Sequence, residues 1–151
     1  MRSAVPAPVA LDILEGPHGV GLSVLLQAIP RDVGMADADA LVVADGSPAN
    51  QAWHLLCAQH GVNWVITGRI LARKRPQLLP VSDRVVRYAV GRPTAFWLAL
   101  HTALCEDDAA LHRQLLELRQ VAAVQERVSA PRVCDAAVWI GHRAEGHACP
   151  R

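Results

Sequence analysis

Lysine is almost missing from this chain of 151 residues: Lys74 is the only one, against 14 arginines. Phenylalanine and tyrosine occur once each, and the four cysteines, Cys57, Cys105, Cys134 and Cys149, form no CxxC pair. Such spacing excludes the common zinc-ribbon and thioredoxin-type motifs, and free, buried thiols are expected. His142, His147 and Cys149 cluster near the end, but their spacing fits no standard finger, so no metal is expected. No apolar run approaches the roughly 18 residues of a membrane span. Arg2, Pro6, Pro8, Asp12 and Glu15 break up the start, which excludes a signal-peptide core and leads us to expect a cytoplasmic protein without a membrane partner. Gly16, Gly19 and Gly21 follow no strand and lead to no Lys-Ser/Thr pair, so a plain loop rather than a phosphate-binding loop is expected there. No Ser/His/Asp order and no Cys/His dyad emerges, and no cofactor is expected.

What is present is apolar and helical. Hydrophobic residues make up 52% of the chain, with 25 Ala, 18 Val and 18 Leu, which excludes disordered and low-complexity classes. Ser47 and Pro48 read as N-cap and first helical position, with Ala49, Trp53 and Leu56 at helical spacing before Gly61. A second helix is predicted from Asn63 to Lys74, stopping before Pro76. Pro76 to Pro80 crosses irregularly, and Ser82 or Asp83 starts a helix through Tyr88. Thr94 caps a stripe of Phe96, Trp97, Leu100 and Leu104. Asp107 or Asp108 opens another carrying Leu111, Leu115, Leu118 and Ala122. Ser129 and Pro131 begin the last, where Val133, Ala136, Ala137 and Ile140 repeat. Gly21 to Ile29 and Ala36 to Val43 are expected as short helices. Nothing alternates with period two long enough for a strand. The expected fold is a single all-α domain of six to eight helices over residues 20–143, between an irregular segment 1–19 and a polar tail 144–151.

A net charge of +1 conceals an asymmetry. Residues 1–68 carry a net −4, residues 69–92 a net +6 and residues 93–151 a net −1. Arg69, Arg73, Lys74, Arg75, Arg84, Arg87 and Arg92 supply the positive block, and Asp83 is the one acid among them. A local patch of this kind is what a phosphate-binding surface requires, while a solvated face paired with the acidic first third would have the same composition.

The charge follows a helix ending near Gly61, a short connection and a new helix, which is the outline of a helix-hairpin-helix. In that unit, backbone N–H groups at the start of the second helix hold a phosphate without reading sequence. Gly61, Asn63, Trp64, Arg69, Arg73, Lys74, Arg75, Arg84 and Arg87 are therefore the candidate nucleic-acid contacts. Trp64 reads either as a core plug or as a group that stacks near a base.

The runs Gly61-Val62-Asn63-Trp64, Arg69-Ile70-Leu71-Ala72-Arg73-Lys74-Arg75-Pro76 and Leu79-Pro80-Val81-Ser82-Asp83, with Cys134-Asp135 to Trp139, resemble a bacterial family of unknown function across residues 47–142. That resemblance brings no activity with it. The same stretch is similar to the helix-hairpin-helix superfamily of DNA base-excision glycosylases, in which a Gly-hydrophobic-Gly hairpin precedes a catalytic aspartate. This likeness implies Gly61-Val62-Asn63 as the hairpin and Asp83 as the catalytic carboxylate. The chain departs from that pattern at Asn63, at Val65 where a lysine nucleophile would stand, and at Arg84 after the aspartate.

Three functions remain open. A DNA-binding module needs only the hairpin and the Arg/Lys patch. A monofunctional glycosylase-like enzyme would use Asp83 to stabilise an oxocarbenium-like sugar or activate water. A protein-interaction domain would turn the patch toward an acidic partner. Oligomeric state is not encoded in any motif.

Overall fold

Proline and glycine divide the first thirty residues into two helices. The structure, a computed structural model, describes residues 5–81, 84–89 and 95–144. Helix α1 (Ala7–Glu15) starts from Pro6 with Pro8 in its first turn, and α2 (Pro17–Ala28) follows after Gly16 alone. Residues 5–19 are thus mostly helical rather than irregular, and Gly19 and Gly21 lie inside α2 rather than in a loop. Proline lacks the N–H that the first turn of a helix leaves unpaired, so it starts helices as readily as it breaks them. The two helices meet at 49°. They pack so closely at Gly19 that an added Cβ would lie 2.6 Å from the Ile13 carbonyl oxygen.

Residues 36–43 do not form the expected helix. The Asp39 side chain accepts a hydrogen bond from Leu41 N–H at 2.8 Å, and a 3-10 turn over Ala40–Val42 is all that forms. Local side-chain bonding of this kind competes with regular helix. Ser47 caps α3 (Pro48–Cys57) by accepting from Asn50 N–H at 3.2 Å, as its Ser-Pro signature predicts. Gly61 takes φ of +77° in the connection, and Asn63 caps α4 (Trp64–Lys74). After a crossing in which Leu78, Leu79 and Pro80 are fully buried come α5 (Arg84–Ala89), α6 (Phe96–Val121) and α7 (Ala130–Ala144). Among the described residues there are seven α-helices and no strand, gathered around one core of Leu22, Ile29, Leu56, Leu71, Leu78 and Leu104.

Helix α6 is broken where a new helix is expected. Asp107, Asp108 and Ala109 have φ of 51°, 55° and 57°, and the Arg113 guanidinium bonds the Asp108 carbonyl and carboxylate across the break. Helix α7 has the predicted start but presents a different face. Ala130, Pro131, Val133 and His142 are buried, whereas Ile140 is 63% exposed. Ser129 does not cap it through its side chain; its hydroxyl donates to the Pro76 carbonyl at 2.6 Å and ties α7 to the crossing.

At the end of α6, Ala123 N–H donates to the Gln120 carbonyl and Val124 N–H to the Arg119 carbonyl, both at 3.0 Å. This is a Schellman closure with an alanine at φ of 53° in the position that favours glycine. Ala123→Gly is expected to raise stability by up to about 1 kcal/mol, because glycine has no Cβ to crowd the following carbonyl. Urea denaturation measures it, and a lowered midpoint would contradict the left-handed closure.

Candidate functional site

Helix α4 has two unlike faces. Thr67, Gly68, Leu71 and Ala72 are buried, with Thr67 Oγ1 accepting from the Cys57 thiol at 3.3 Å. On the opposite face Arg69 and Arg73 stand one helical turn apart and, with Lys74, are exposed. No carboxylate lies within ion-pair distance of these three among the described residues. Asp12, in the acidic first third, is paired with His18 instead.

Arg75 is a correction to the expected set. It is 4% exposed and turned inward. Its Nε donates to the Ile29 carbonyl at 3.0 Å, Nη1 to the Lys74 carbonyl at 2.6 Å, and Nη2 to the Leu26 carbonyl. The guanidinium therefore closes the C-terminal end of α2, where unpaired carbonyls and the helix dipole favour a cation. Burial and the nearby charge of Arg31 hold its pKa below the usual arginine value. Sequence gave no sign of this, since four basic residues fall together in Arg73, Lys74 and Arg75 and the preceding Arg69, and the carbonyls that select one of them lie far back in the chain.

The first amides of α4 are occupied by the chain itself. Asn63 Oδ1 accepts from Val65 N–H at 3.1 Å and from Ile66 N–H at 3.0 Å. These are the amides on which a phosphate at the start of α4 would depend, so the side chains of the patch, rather than the hairpin backbone, are the groups open to a ligand. Gly61 is exposed in the connection. Trp64 is half-buried and carries the Arg87 guanidinium over its ring, 4.8 Å from the centroid. Arg84 opens α5, with its side chain outside the described residues; Asp83 lies outside them altogether.

Two further arginines join this end of the molecule. Arg31 is exposed and close enough to act electrostatically on Arg75. Arg127, also exposed, accepts at its carbonyl a 3.0 Å bond from the Gln77 side chain, just beyond α4. Both were invisible in sequence, being brought in by bonds between distant segments.

A cleft of about 140 Å³ adjoins this surface, lined by Asp45, Asn50, Trp53, Arg87, Phe96 and Trp97. Trp53 and Trp97 meet edge to face, 5.4 Å apart and at 87°. Arg87 thus belongs both to the Trp64 stack and to the cleft wall.

Other chemistry is less well provided for. Cys105 Sγ lies 3.8 Å from His101 Nε2, but that nitrogen is 2.8 Å from the Ala38 carbonyl oxygen. A carbonyl can only accept, so Nε2 carries a proton there and cannot take one from the thiol. No group of three or more His, Cys, Asp or Glu fit to hold a metal occurs among the described residues. No single described helix is long and apolar enough to cross a membrane.

The described thiols are free but not buried as expected, Cys57 and Cys134 being half-buried and Cys105 exposed, and they differ in reactivity. Burial, and then the Asp135 charge, push the Cys134 thiol above its ordinary pKa, whereas Cys105 is exposed. Cys105 is therefore expected to react first with a disulfide reagent at neutral pH, and Cys134 only under more alkaline conditions. A raised folded-state pKa contributes stability below the ordinary thiol value and loses it as pH rises through the folded value. Stability should consequently fall on the alkaline side, and mass mapping of the labelled cysteines against pH checks the order.

Neither curated proteins nor solved structures include a match to the chain. A family model described as a family of unknown function matches residues 1–142. The match takes in both N-terminal helices, the basic helix α4, the aromatic cleft and nearly all of α7, and the chain belongs to this family of unknown function, DUF6308.

Proposed function

We propose that the chain binds nucleic acid, DNA first, through the phosphate backbone and without strong sequence readout. The observation that carries this reading is the set of Arg69, Arg73 and Lys74 along the C-terminal half of α4, exposed and without a carboxylate partner among the described residues. Three cations held on one rigid helix raise the local potential, and a polyanion gains by releasing its counterions there. Arg87, stacked on Trp64 at the other end of α4, adds a cation beside an aromatic ring. That combination suits a backbone with bases close by.

The helix-hairpin-helix resemblance adds a finer reading, in which Gly61 and the start of α4 meet a phosphate directly. For this to happen Asn63 must release Val65 and Ile66 N–H. Asn63→Gly keeps a tolerated N-cap and frees those amides. If the hairpin takes part, the variant should bind DNA at least as tightly as the wild type; weaker binding would confine contact to side chains.

Fluorescence anisotropy with a labelled oligonucleotide, repeated over a salt series, tests the function itself. Binding at low salt that falls linearly in log–log form, with similar affinity for unrelated sequences, is expected. No binding at low salt, or binding confined to an acidic peptide, would assign the patch to a protein partner.

A further inference from the structure

We propose that the cleft beside Arg87 is a binding site for one unpaired guanine base, with its 5′-phosphate on Arg87. This rests on the nucleic-acid reading above and gives it a subsite.

The first argument is the material of the walls. The chain has six aromatic side chains among its 151 residues, four Trp, one Tyr and one Phe. Three of them, Trp53, Phe96 and Trp97, line this one cleft. Trp97 belongs to the hydrophobic core and Trp53 and Phe96 pack against it, so the cleft wall is anchored in the core. Trp97 is 8% exposed. Its perpendicular contact fixes the orientation of half-buried Trp53. Rings held in this way form a stacking surface in advance of the ligand and lose little freedom on binding. The space of about 140 Å³ suits one planar ring system. Whole cofactors occupy roughly 300 Å³ or more.

The second argument is the set of polar groups. Asn50 Oδ1 already accepts from Gly46 N–H at 3.2 Å, which turns the amide's donor end to other use. Gly46 is itself held through its carbonyl by Gln51 Nε2 at 2.8 Å. Asp45, next to it, is exposed and has no cationic partner among the described residues. The cleft thus offers a carboxylate acceptor, an amide donor and a guanidinium around aromatic walls. Guanine presents the matching set: two adjacent N–H donors for the carboxylate and O6/N7 acceptors for the amide. Adenine would bring its N1 acceptor toward the carboxylate. A quaternary ammonium would suit the aromatic rings and Asp45, but Arg87 in the same wall opposes a cation.

The third argument is continuity. The face of Arg87 is engaged by Trp64, leaving its N–H edge for an anion. A phosphate there would sit where the cleft meets the start of α4, as a strand passing that end of the helix requires.

Tryptophan fluorescence of the full chain titrated with dGMP, dAMP, inorganic phosphate and choline tests this. Saturable quenching by dGMP, at least about tenfold tighter than by dAMP, is expected, since a bidentate pair discriminates by that order. Asp45→Asn, a change at an exposed side chain, should bring the two nucleotides to within about twofold of each other. Absence of saturable quenching by dGMP, equal affinities in the wild type, or choline binding in its place overturns the proposal. Displacement of dGMP by inorganic phosphate at equal concentration reduces the site to an anion contact and overturns it as well. Oligonucleotide binding without dGMP binding removes the subsite and leaves the general reading intact. Binding of dGMP without any oligonucleotide binding keeps the cleft and removes the general reading.

Discussion

Arg75→Met should lower the stability of the chain by about 3 kcal/mol: the Ile29 and Lys74 carbonyls lose the guanidinium donor while the Leu26 carbonyl keeps Ile29 N–H, and a buried carbonyl left without a donor costs roughly 1–3 kcal/mol. The guanidinium reaches the Leu26 and Ile29 carbonyls at the end of α2 and the Lys74 carbonyl on its own helix. Methionine fills similar volume but supplies no donor. Relief of the repulsion from Arg31 offsets part of the loss, and the lost bonds dominate because they are short-range and buried. Arg75→Lys should rescue little, because an ammonium cannot span three carbonyls as a planar fork does. For a domain of this size the loss corresponds to a fall in Tm on the order of 6–12 °C. The comparison is Arg73→Met, an exposed neighbour on the same helix, for which a change within about 0.5 kcal/mol is expected. Urea and thermal unfolding of the three variants measure the effect. An Arg75→Met protein as stable as Arg73→Met would mean that the inward guanidinium is not holding α2.

Arg75 also shows where sequence reading stops. The starts of α3 and α4 were legible because their signals are local: Ser47 ahead of Pro48, and Asn63 ahead of an apolar run. The break in α6 was legible too, from Asp107 and Asp108. Nothing local separates Arg75 from Arg73 or Lys74, because its burial is decided by carbonyls 46 and 49 residues earlier. The same holds for the cleft, which joins Trp53 of α3 to Phe96 and Trp97 of α6. Periodicity placed those residues on helices without saying which helices face each other. In α7 the period was right and the buried side was not. Ile140 is exposed because the helix packs through Ala130, Pro131 and Val133. The first helix was missed for another reason. Pro6 and Pro8 look like breakers until their place in the first turn is known.

Changing Arg69, Arg73 and Lys74 together to alanine should weaken binding to duplex DNA on the order of a thousandfold at about 50 mM salt, with the deficit shrinking as salt rises. Each phosphate contact releases close to one counterion, so three lost contacts should flatten the log–log salt slope by about 2.7 on duplex and about 2.1 on a single strand. The fold should tolerate the change. All three side chains are exposed, Arg69 and Arg73 on the face opposite Thr67, Gly68, Leu71 and Ala72 and Lys74 at the end of the helix, and alanine is the strongest helix former. Circular dichroism and unfolding midpoints should therefore match the wild type, so that lost binding cannot be ascribed to lost structure. The loss should be the same for unrelated sequences, since phosphate contacts carry no base information. A triple variant that keeps the wild-type salt slope would place the contact elsewhere. One that loses affinity for a single sequence alone would replace backbone binding with base readout. The Arg31 and Arg127 pair supplies a graded check. Both are exposed beyond the C-terminal end of α4. If the nucleic-acid track continues past Lys74, replacing both with alanine in the wild-type background should remove up to about 1.8 from the duplex slope. If the track turns instead toward Trp64 and Arg87, the slope should remain at the wild-type value.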